Sequence, residues 1–308
     1  MIRYVKNAFI DRKKYDHCVR MDHLGLAYAY SWYLDEVCHH WDCLVLNDYD
    51  AVWPLPERSK YGVKYFYRPF AVQQLGIFSK VELSDKQILR FIEEMALHCR
   101  YADLYLNEGQ LTEQETEMRK IRLSRNVNLT LDLSRSFREI YHGYSKHTRR
   151  NITRSSKSNL QIFEHDAPRS ILDLFRENQG ERLKLPPEFY RNMAKAMYNC
   201  LHRGIGKVWT VHDARNTLCA GIFVVETDKR HTLLFSASSP EGKELRAMYY
   251  LINEYLIYHS AKTKYFDFEG SNAPGLRRFY EGFGAEVRPY QRLVYNNLPL
   301  PYRWLKRQ

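Results

Sequence analysis

Short apolar runs separated by polar turns follow one another in a fixed order through the first third of the chain. Runs rich in β-branched and aromatic residues predict three successive strands. Apolar residues then recur on one helical face, which predicts an amphipathic helix, and a further apolar run predicts a fourth strand. These elements occupy residues 43–46, 51–55, 63–70, about 85–100 and 102–106.

The second half of the chain repeats this order. Its predicted elements occupy residues 207–211, 218–226, 231–238, about 240–261 and a strand that runs into 267–270. Glu108 then corresponds to Glu269, and Asp50 corresponds to Asp213 at nearly the same separation along the chain. The pattern predicts a duplicated α/β unit, a mixed sheet with cover helices, and two domains at 1–130 and 131–308.

Local signals predict where several helices begin. Two capping boxes, in which a serine and a residue three positions later bond each other's backbone N–H, are Ser84 with Gln87 and Ser136 with Glu139. Ser239 followed by Pro240 predicts the start of the second cover helix. Between the halves, residues 126–133 alternate as a strand, and residues 136–157 are predicted to form one connecting helix.

Composition restricts the class of protein. Hydrophobic residues make up 44% and charged residues 27%, which is typical of a globular protein. A net charge of +11 favours anionic partners such as phosphates or nucleic acid. Six scattered cysteines favour reduced thiols over a disulfide framework. No apolar run approaches the roughly 20 residues that span a bilayer, and the N-terminus has no apolar leader segment, so we expect a cytoplasmic protein.

The fourth strand of the second half ends in a distinctive segment. A run from Lys264 to Ser271 carries Asp267 and Glu269, turns through a proline, and enters a helix that contains Arg-Phe-Tyr and is followed by Phe-Gly-Ala. This order resembles the last strand and helix of the GNAT acyltransferase superfamily, in which that strand borders the acyl-donor cleft. The resemblance implies an α/β protein of two tandem GNAT-like domains.

A strongly basic segment lies just after the predicted domain boundary. Lys146, Arg150 and Arg154 recur every four residues, with Arg149 beside them, and residues 140–163 contain no acidic residue. Like charges on one helical face repel one another unless an anion lies against them, so the segment predicts a phosphate-binding surface, with a solvated basic face as the alternative. The run Arg-Arg-Asn-Ile resembles the Fem family of peptidoglycan aminoacyltransferases, proteins of two GNAT-like domains.

Two glutamines lie in an apolar stretch of the first half. Residues 67–78 resemble the substrate-side domain of Fem proteins, and Pro69 marks an edge or bulge because it cannot donate to a sheet. The amides of Gln73 and Gln74 need partners or must face a cleft. A structural bulge and a substrate-binding role both remain open.

The expected cofactor loop departs from the GNAT pattern. GNAT enzymes that use coenzyme A carry a glycine-rich loop that cradles the pyrophosphate at a helix N-terminus. Here the corresponding residues are Ser236, Ser238, Gly242, Lys243 and Arg246, with one glycine and with Glu241 and Glu244 opposing a phosphate. This departure disfavours acyl-CoA, whereas the Fem resemblance implies aminoacyl-tRNA as the donor.

Other catalytic and metal motifs are missing from the sequence. The histidines and cysteines at 38–43 do not have the spacing of a common zinc site, so no metal is expected. Hydrolase, zincin, P-loop and dinucleotide-binding motifs are also absent.

The resemblance therefore implies an N-acyltransferase that moves an acyl or aminoacyl group from an activated donor to an amine. In that family the donor enters where neighbouring strands splay, here near Ser236–Ser238 and Glu269–Ser271. We predict that Glu269 accepts the amine proton and that Tyr280 returns a proton to the leaving group. The alternative is a non-catalytic GNAT-like protein that binds RNA or a phosphorylated partner through the basic helix.

Overall fold

The computed structural model describes residues 1–111, 120–262, 265–270 and 272–299. Contacts divide the chain into two compact units. The first combines Met1–Val127 with the chain from Arg288 onward, and the second is Asn128–Val287. No helix among the described residues is both long enough and apolar enough to span a bilayer.

The described residues of the first unit form three α-helices, two 3-10 turns and seven strands or parts of strands, with a further strand added from the end of the chain. Its helices are α1 (Arg12–Met21), α2 (Ser31–Val37) and α3 (Asp85–Leu97), and its 3-10 turns are Asn7–Phe9 and Ala27–Ala29. Its strands are β1 (Ile2–Val5), β2 (Trp41–Leu46), β3 (Ala51–Lys60), β4 (Val63–Tyr67), β5 (Phe78–Ser79), β6 (Tyr101–Tyr105) and the first part of β7 (Ile121–Asp132).

The second unit contains the remaining elements. Its helices are α4 (Phe137–His142), α5 (Lys146–Ser155), α6 (Pro168–Phe175), α7 (Glu181–Leu183), α8 (Pro187–His202), α9 (Pro240–Glu244), α10 (Ala247–His259) and α11 (Pro274–Glu281), with a π-helical turn at Arg176–Gly180. Its strands are the end of β7, β8 (Gln161–Glu164), β9 (Gly206–His212), β10 (Leu218–Glu226), β11 (Arg230–Ser238) and β12 (Tyr265–Asp267), and β13 (Glu286–Asn296) then leads back to the first unit.

The two units have the same order and direction of strands. In the first, β1-β2-β3-β4 are antiparallel, β4 pairs with β6 in parallel, and β13 adds antiparallel to β6. In the second, β8-β9-β10-β11 are antiparallel, β11 pairs with β12 in parallel, and β7 adds antiparallel to β12. The duplicated α/β unit predicted from the sequence is therefore present.

The terminal strand differs from the predicted division at 131–308. Residues of β13 from Arg288 belong to the first unit, where Leu293 pairs with Leu104 of β6 and is fully buried. Arg292 also forms a bidentate ion pair with Asp103, in which Nε donates to Oδ1 at 2.7 Å and Nη2 donates to Oδ2 at 2.6 Å. A strand pattern in the sequence cannot reveal which of two similar units the strand joins, because the pattern records only the strand itself.

Each unit has its own apolar core. In the first, the predicted face of α3 packs with Trp53 and Phe66 through Ile88, Phe91, Ile92 and Met95. In the second, α10 packs with Phe266 through Leu251, Ile252, Tyr255 and Leu256. Burial of each such side chain contributes about 1.5–3 kcal/mol, so these helices are held to their sheets mainly by one apolar face.

The predicted connecting helix at 136–157 is two helices. The chain turns at residues 143–145 because Ser145 begins a new helix: its hydroxyl accepts the N–H of Thr148 at 3.1 Å, and its own N–H donates to the Gly282 carbonyl at 2.9 Å. The capping box at Ser136 is confirmed, since its N–H donates to Glu139 Oε2 at 2.9 Å.

A close approach of α9 to β10 requires Gly242. A Cβ at this position would lie far inside contact distance of the Cys219 carbonyl oxygen, which belongs to a buried strand and cannot move freely. At Gly275, near the start of α11, a Cβ would meet nothing within 4 Å.

We predict that Gly242→Ala lowers the free energy of unfolding by about 2 kcal/mol or more, because overpacking forces the backbone to shift. Gly275→Ala is the matched control and should be neutral or slightly stabilising. Urea unfolding of both variants measures the difference. Equal stability of the two variants would contradict the close contact between α9 and β10.

Candidate functional site

Strands β11 and β12 separate in the second unit, and the space between them is called the gap below. Their parallel pairing ends at Thr232 and Asp267, whereas β11 continues along β10 to Ser238. The chain after β12 follows β7 instead, since Phe268 N–H donates to the Leu129 carbonyl at 2.9 Å. The second half of β11 therefore faces the segment 268–270 across a gap.

A buried ion pair fixes the base of this gap. Arg230 Nη1 lies 2.6 Å from Asp267 Oδ2, and both side chains are almost fully buried. The other oxygen of Asp267 accepts the N–H of Glu269 at 2.8 Å. Glu269 takes a left-handed backbone conformation, φ 55°. The carboxylate of Asp267 thus joins β11 to β12 and turns the chain so that Glu269 follows at the gap.

Three residues predicted for the site meet here. Buried Tyr280 on α11 lies close enough to the side chains of Ser236 and Glu269 for both to affect its pKa. Burial raises the pKa of Tyr280, hydrogen bonding with Ser236 opposes the shift, and the charge of Glu269 raises the pKa further. Tyr280 is consequently a neutral phenol at physiological pH. Ser271, also predicted to border the gap, lies outside the described residues, as does Lys264.

The predicted cofactor loop has its backbone donors engaged locally. Ser239 caps α9, so the N–H of Gly242 donates to its hydroxyl at 2.9 Å and the N–H of Lys243 donates to its carbonyl at 3.0 Å. The guanidinium of Arg246 turns back to the Lys243 carbonyl at 2.6 Å. Lys243 is exposed and Ser238 half-buried. Gly242 is explained by packing, and its N–H and that of Lys243 are both bonded within the cap of α9.

The basic segment forms α5, and its cations divide into two groups. Lys146, Arg150 and Arg154 are exposed on one face. Arg149 instead donates to the carbonyls of Tyr141 and His142, at 3.2 and 2.7 Å. These carbonyls lie at the end of α4, so Nη2 of Arg149 satisfies helix-terminal acceptors.

The two glutamines are in the first unit and buried. Gln74 is fully buried; its Oε1 accepts the Glu108 N–H at 2.8 Å and its Nε2 donates to Glu108 Oε1 at 3.4 Å. Gln73 Nε2 donates to the Tyr290 hydroxyl at 3.4 Å. These bonds explain how polar side chains occupy an apolar stretch of the first unit, whereas the gap between β11 and β12 belongs to the second.

A basic pocket in the second unit was not predicted from the sequence. It has a volume of about 540 Å³ and is formed by α6, the π-helical turn, the residues between α7 and α8, and α8 itself. Four cations and one carboxylate line it, together with two tyrosines: Arg169, Arg176, Lys184, Arg191, Asp173, Tyr190 and Tyr198. The cations come from separate helices and turns, so no local charge run marks the pocket.

The pocket and α10 lie on opposite faces of the second sheet. A Cβ on Gly221 of β10 would contact Ile171 of α6. Its strand neighbours Ala220 and Ile222 pack in the core with α10. Since successive side chains of a strand point to opposite faces, α6 covers one face and α10 the other.

No known protein family and no curated protein matches the sequence. Solved structures do resemble it. FemX matches at 12% identity and a TM-score of 0.64, over 97% of this chain and 99% of that chain. The C-terminal domain of a putative lysylphosphatidylglycerol synthetase from Agrobacterium fabrum matches at 13% identity and a TM-score of 0.59, over 96% of this chain and 94% of that chain. A tandem GNAT protein from the clavulanic acid biosynthesis pathway matches at 11% identity and a TM-score of 0.57, over 97% of this chain and 99% of that chain. The chain has a tandem GNAT-like fold of the Fem type.

Proposed function

We propose that this protein is an N-acyltransferase whose donor enters the gap between β11 and β12 of the second unit. The observation that carries the proposal is the meeting of Ser236, Glu269 and Tyr280 at that gap. A carboxylate and a neutral phenol beside an opening between parallel strands can move protons on either side of a reacting carbonyl.

The reaction needs few side chains. The acceptor amine attacks the donor carbonyl, a carbon–nitrogen bond forms, and Glu269 takes the amine proton directly or through water. The bond between the carbonyl carbon and the leaving oxygen or sulfur then breaks, and Tyr280 supplies a proton to that atom. Backbone N–H groups on the open edge of β11 would stabilise the intermediate oxyanion, and alignment of the two reactants supplies much of the acceleration.

The loop geometry favours aminoacyl-tRNA over acyl-CoA as the donor. The backbone N–H groups of Gly242 and Lys243 are already bonded within the cap of α9, so they do not offer the pyrophosphate site of coenzyme A. An RNA donor needs a broader cationic surface. Helix α5, which packs against α10, supplies one through its exposed face.

The basic pocket is suited to the acceptor. It lies on the face of the sheet opposite α10, and its lining carries an excess of positive charge with two tyrosines. An acceptor held there would approach the gap from the side opposite a donor held by α5. The charge of the pocket favours an amine whose molecule also carries a phosphate or carboxylate.

We predict that Glu269→Gln lowers turnover by roughly 10²–10⁴ while donor binding stays nearly intact, because the amide keeps the shape and loses the base. Tyr280→Phe should lower turnover less than Glu269→Gln does. The measurement is release of free tRNA or CoA from charged tRNA or acetyl-CoA with a panel of amines. Glu281→Gln, on the nearby helix α11, is the control and should leave turnover unchanged. A Glu269→Gln variant that transfers as well as the parent would remove Glu269 from the mechanism.

We predict that Arg150→Glu weakens binding of charged tRNA about tenfold or more, since a charge-assisted contact contributes about 1.5–3 kcal/mol. Its stability should hardly change. Lys195→Glu on α8 changes the net charge by the same amount as Arg150→Glu, so it is the control for long-range electrostatic effects on binding. Arg149→Ala should instead lower stability by about 1–2 kcal/mol through its two lost hydrogen bonds. Filter binding and urea unfolding separate these effects, and unaltered affinity in Arg150→Glu would identify α5 as a solvated surface.

A further inference from the structure

Two histidines and a glutamate meet at the other end of the second sheet from Ser236. Glu226 is the last residue of β10, His231 is the second of β11, and His259 is the last of α10. Their side chains are 18%, 8% and 11% exposed. Regular elements of a packed core thus hold three ligand-type side chains in place, although they come from separate parts of the sequence.

The distances between their ligand atoms suit one metal ion. Glu226 Oε1 lies 3.5 Å from His259 Nε2 and 3.9 Å from His231 Nδ1, and all three atoms lie within 4.8 Å of one another. A tetrahedral zinc ion with bonds of about 2.0–2.2 Å places neighbouring ligands roughly 3.3–3.6 Å apart. Modest side-chain shifts would complete the coordination.

The chemistry of the three groups agrees with this geometry. Two imidazoles and a carboxylate are ligand types that zinc commonly takes in proteins. The Tyr255 hydroxyl donates its one proton to Glu226 Oε1 at 2.8 Å, so His231 Nδ1, 2.8 Å from the same hydroxyl, is the donor in the metal-free protein. Metal binding would displace that proton from His231. The Tyr255 hydroxyl can therefore orient the carboxylate, as neighbouring donors commonly do for metal ligands.

A second group of three ligand-type side chains, in the first unit, is less suited to a metal ion. His40, Asp42 and Glu57 also lie within range of one another. There, however, the ammonium of Lys64 forms ion pairs with Glu57 and with Asp42, the latter at 3.6 Å. A lysine already supplies the positive charge, and His40 is 45% exposed. The Glu226 carboxylate instead contacts a tyrosine hydroxyl and two imidazoles, and Lys207 affects it only through its charge at longer range.

We infer that Glu226, His231 and His259 form a binding site for one divalent transition-metal ion, with zinc the best match to two imidazoles and a carboxylate. The ion would join the turn between β10 and β11 to the last turn of α10. Three protein ligands leave a fourth position for water. Because the site is at the far end of β11 from Ser236, its role is to hold the sheet and helix together rather than to react with the acyl donor.

The test uses the full-length chain, stripped of metal with a chelator and then dialysed. Titration with Co²⁺ should give visible absorption bands that saturate at one ion per chain, and Zn²⁺ should displace them. Zinc should also raise the melting temperature of the parent, because it binds the folded state. Neither readout involves acyl transfer, so the result is independent of the proposed enzymatic activity.

The variants locate the ion. His259→Gln should weaken Zn²⁺ binding about 100-fold or more, since loss of even an outer-shell partner costs about 10–100-fold. His40→Gln, in the group of three side chains occupied by Lys64, should bind as the parent does. Glu226→Gln, which can still accept the Tyr255 hydrogen bond, is the second variant should His259→Gln fold poorly. The proposal is overturned if the parent does not bind one Co²⁺ or Zn²⁺. It is also overturned if a folded Glu226→Gln or His259→Gln variant binds the ion with the affinity of the parent. In either case the three residues form a metal-free hydrogen-bond network.

Discussion

The buried carboxylate of Asp267 is the constraint on which the proposed site depends. A buried charge is costly unless it is paired and hydrogen-bonded, and Asp267 meets both conditions through Arg230 and the Glu269 N–H. The ion pair joins β11 to β12, and the bond to the Glu269 N–H places Glu269 at the gap. Removing one partner of such a pair costs about 3–5 kcal/mol, so the geometry of the gap is tied to the stability of the second unit.

Around this constraint, the second sheet separates the proposed tasks. Helices α5, α10 and α11 cover the face that holds Tyr280, and α6 covers the other face beside the basic pocket. Cations are therefore available on both sides of the gap, which is consistent with two anionic substrates that meet only where the strands part. The proposed metal site lies at the closed end of the same sheet, where rigidity is useful and access is not.

Much of the fold could be predicted from the sequence because its signals are local. The apolar face of α3, the serine caps and the repeated order of strands depend on residues a few positions apart. The meeting of Ser236, Glu269 and Tyr280 could be predicted only through the resemblance to GNAT proteins, since these residues belong to different elements that come together on folding.

The remainder depends on tertiary contacts that no local pattern encodes. The basic segment did not show that Arg149 turns back to α4 while Arg150 stays exposed, because both positions are arginines on adjacent helical faces. Gly242 fitted a phosphate loop in sequence, yet the backbone of Cys219 explains it. Similarly, β13 joins the first unit through its pairing with β6, and Glu226 meets His259 only after α10 packs on the sheet.

The most direct test of the central claim compares the affinity for charged and uncharged tRNA. If the aminoacyl group enters the gap, the parent should bind tRNA carrying a non-hydrolysable aminoacyl group several-fold more tightly than uncharged tRNA. Ser236→Trp would fill the gap and should abolish that preference while the affinity for uncharged tRNA is retained through α5. An equal preference in parent and variant, with both shown to be folded, would contradict the placement of the donor between β11 and β12.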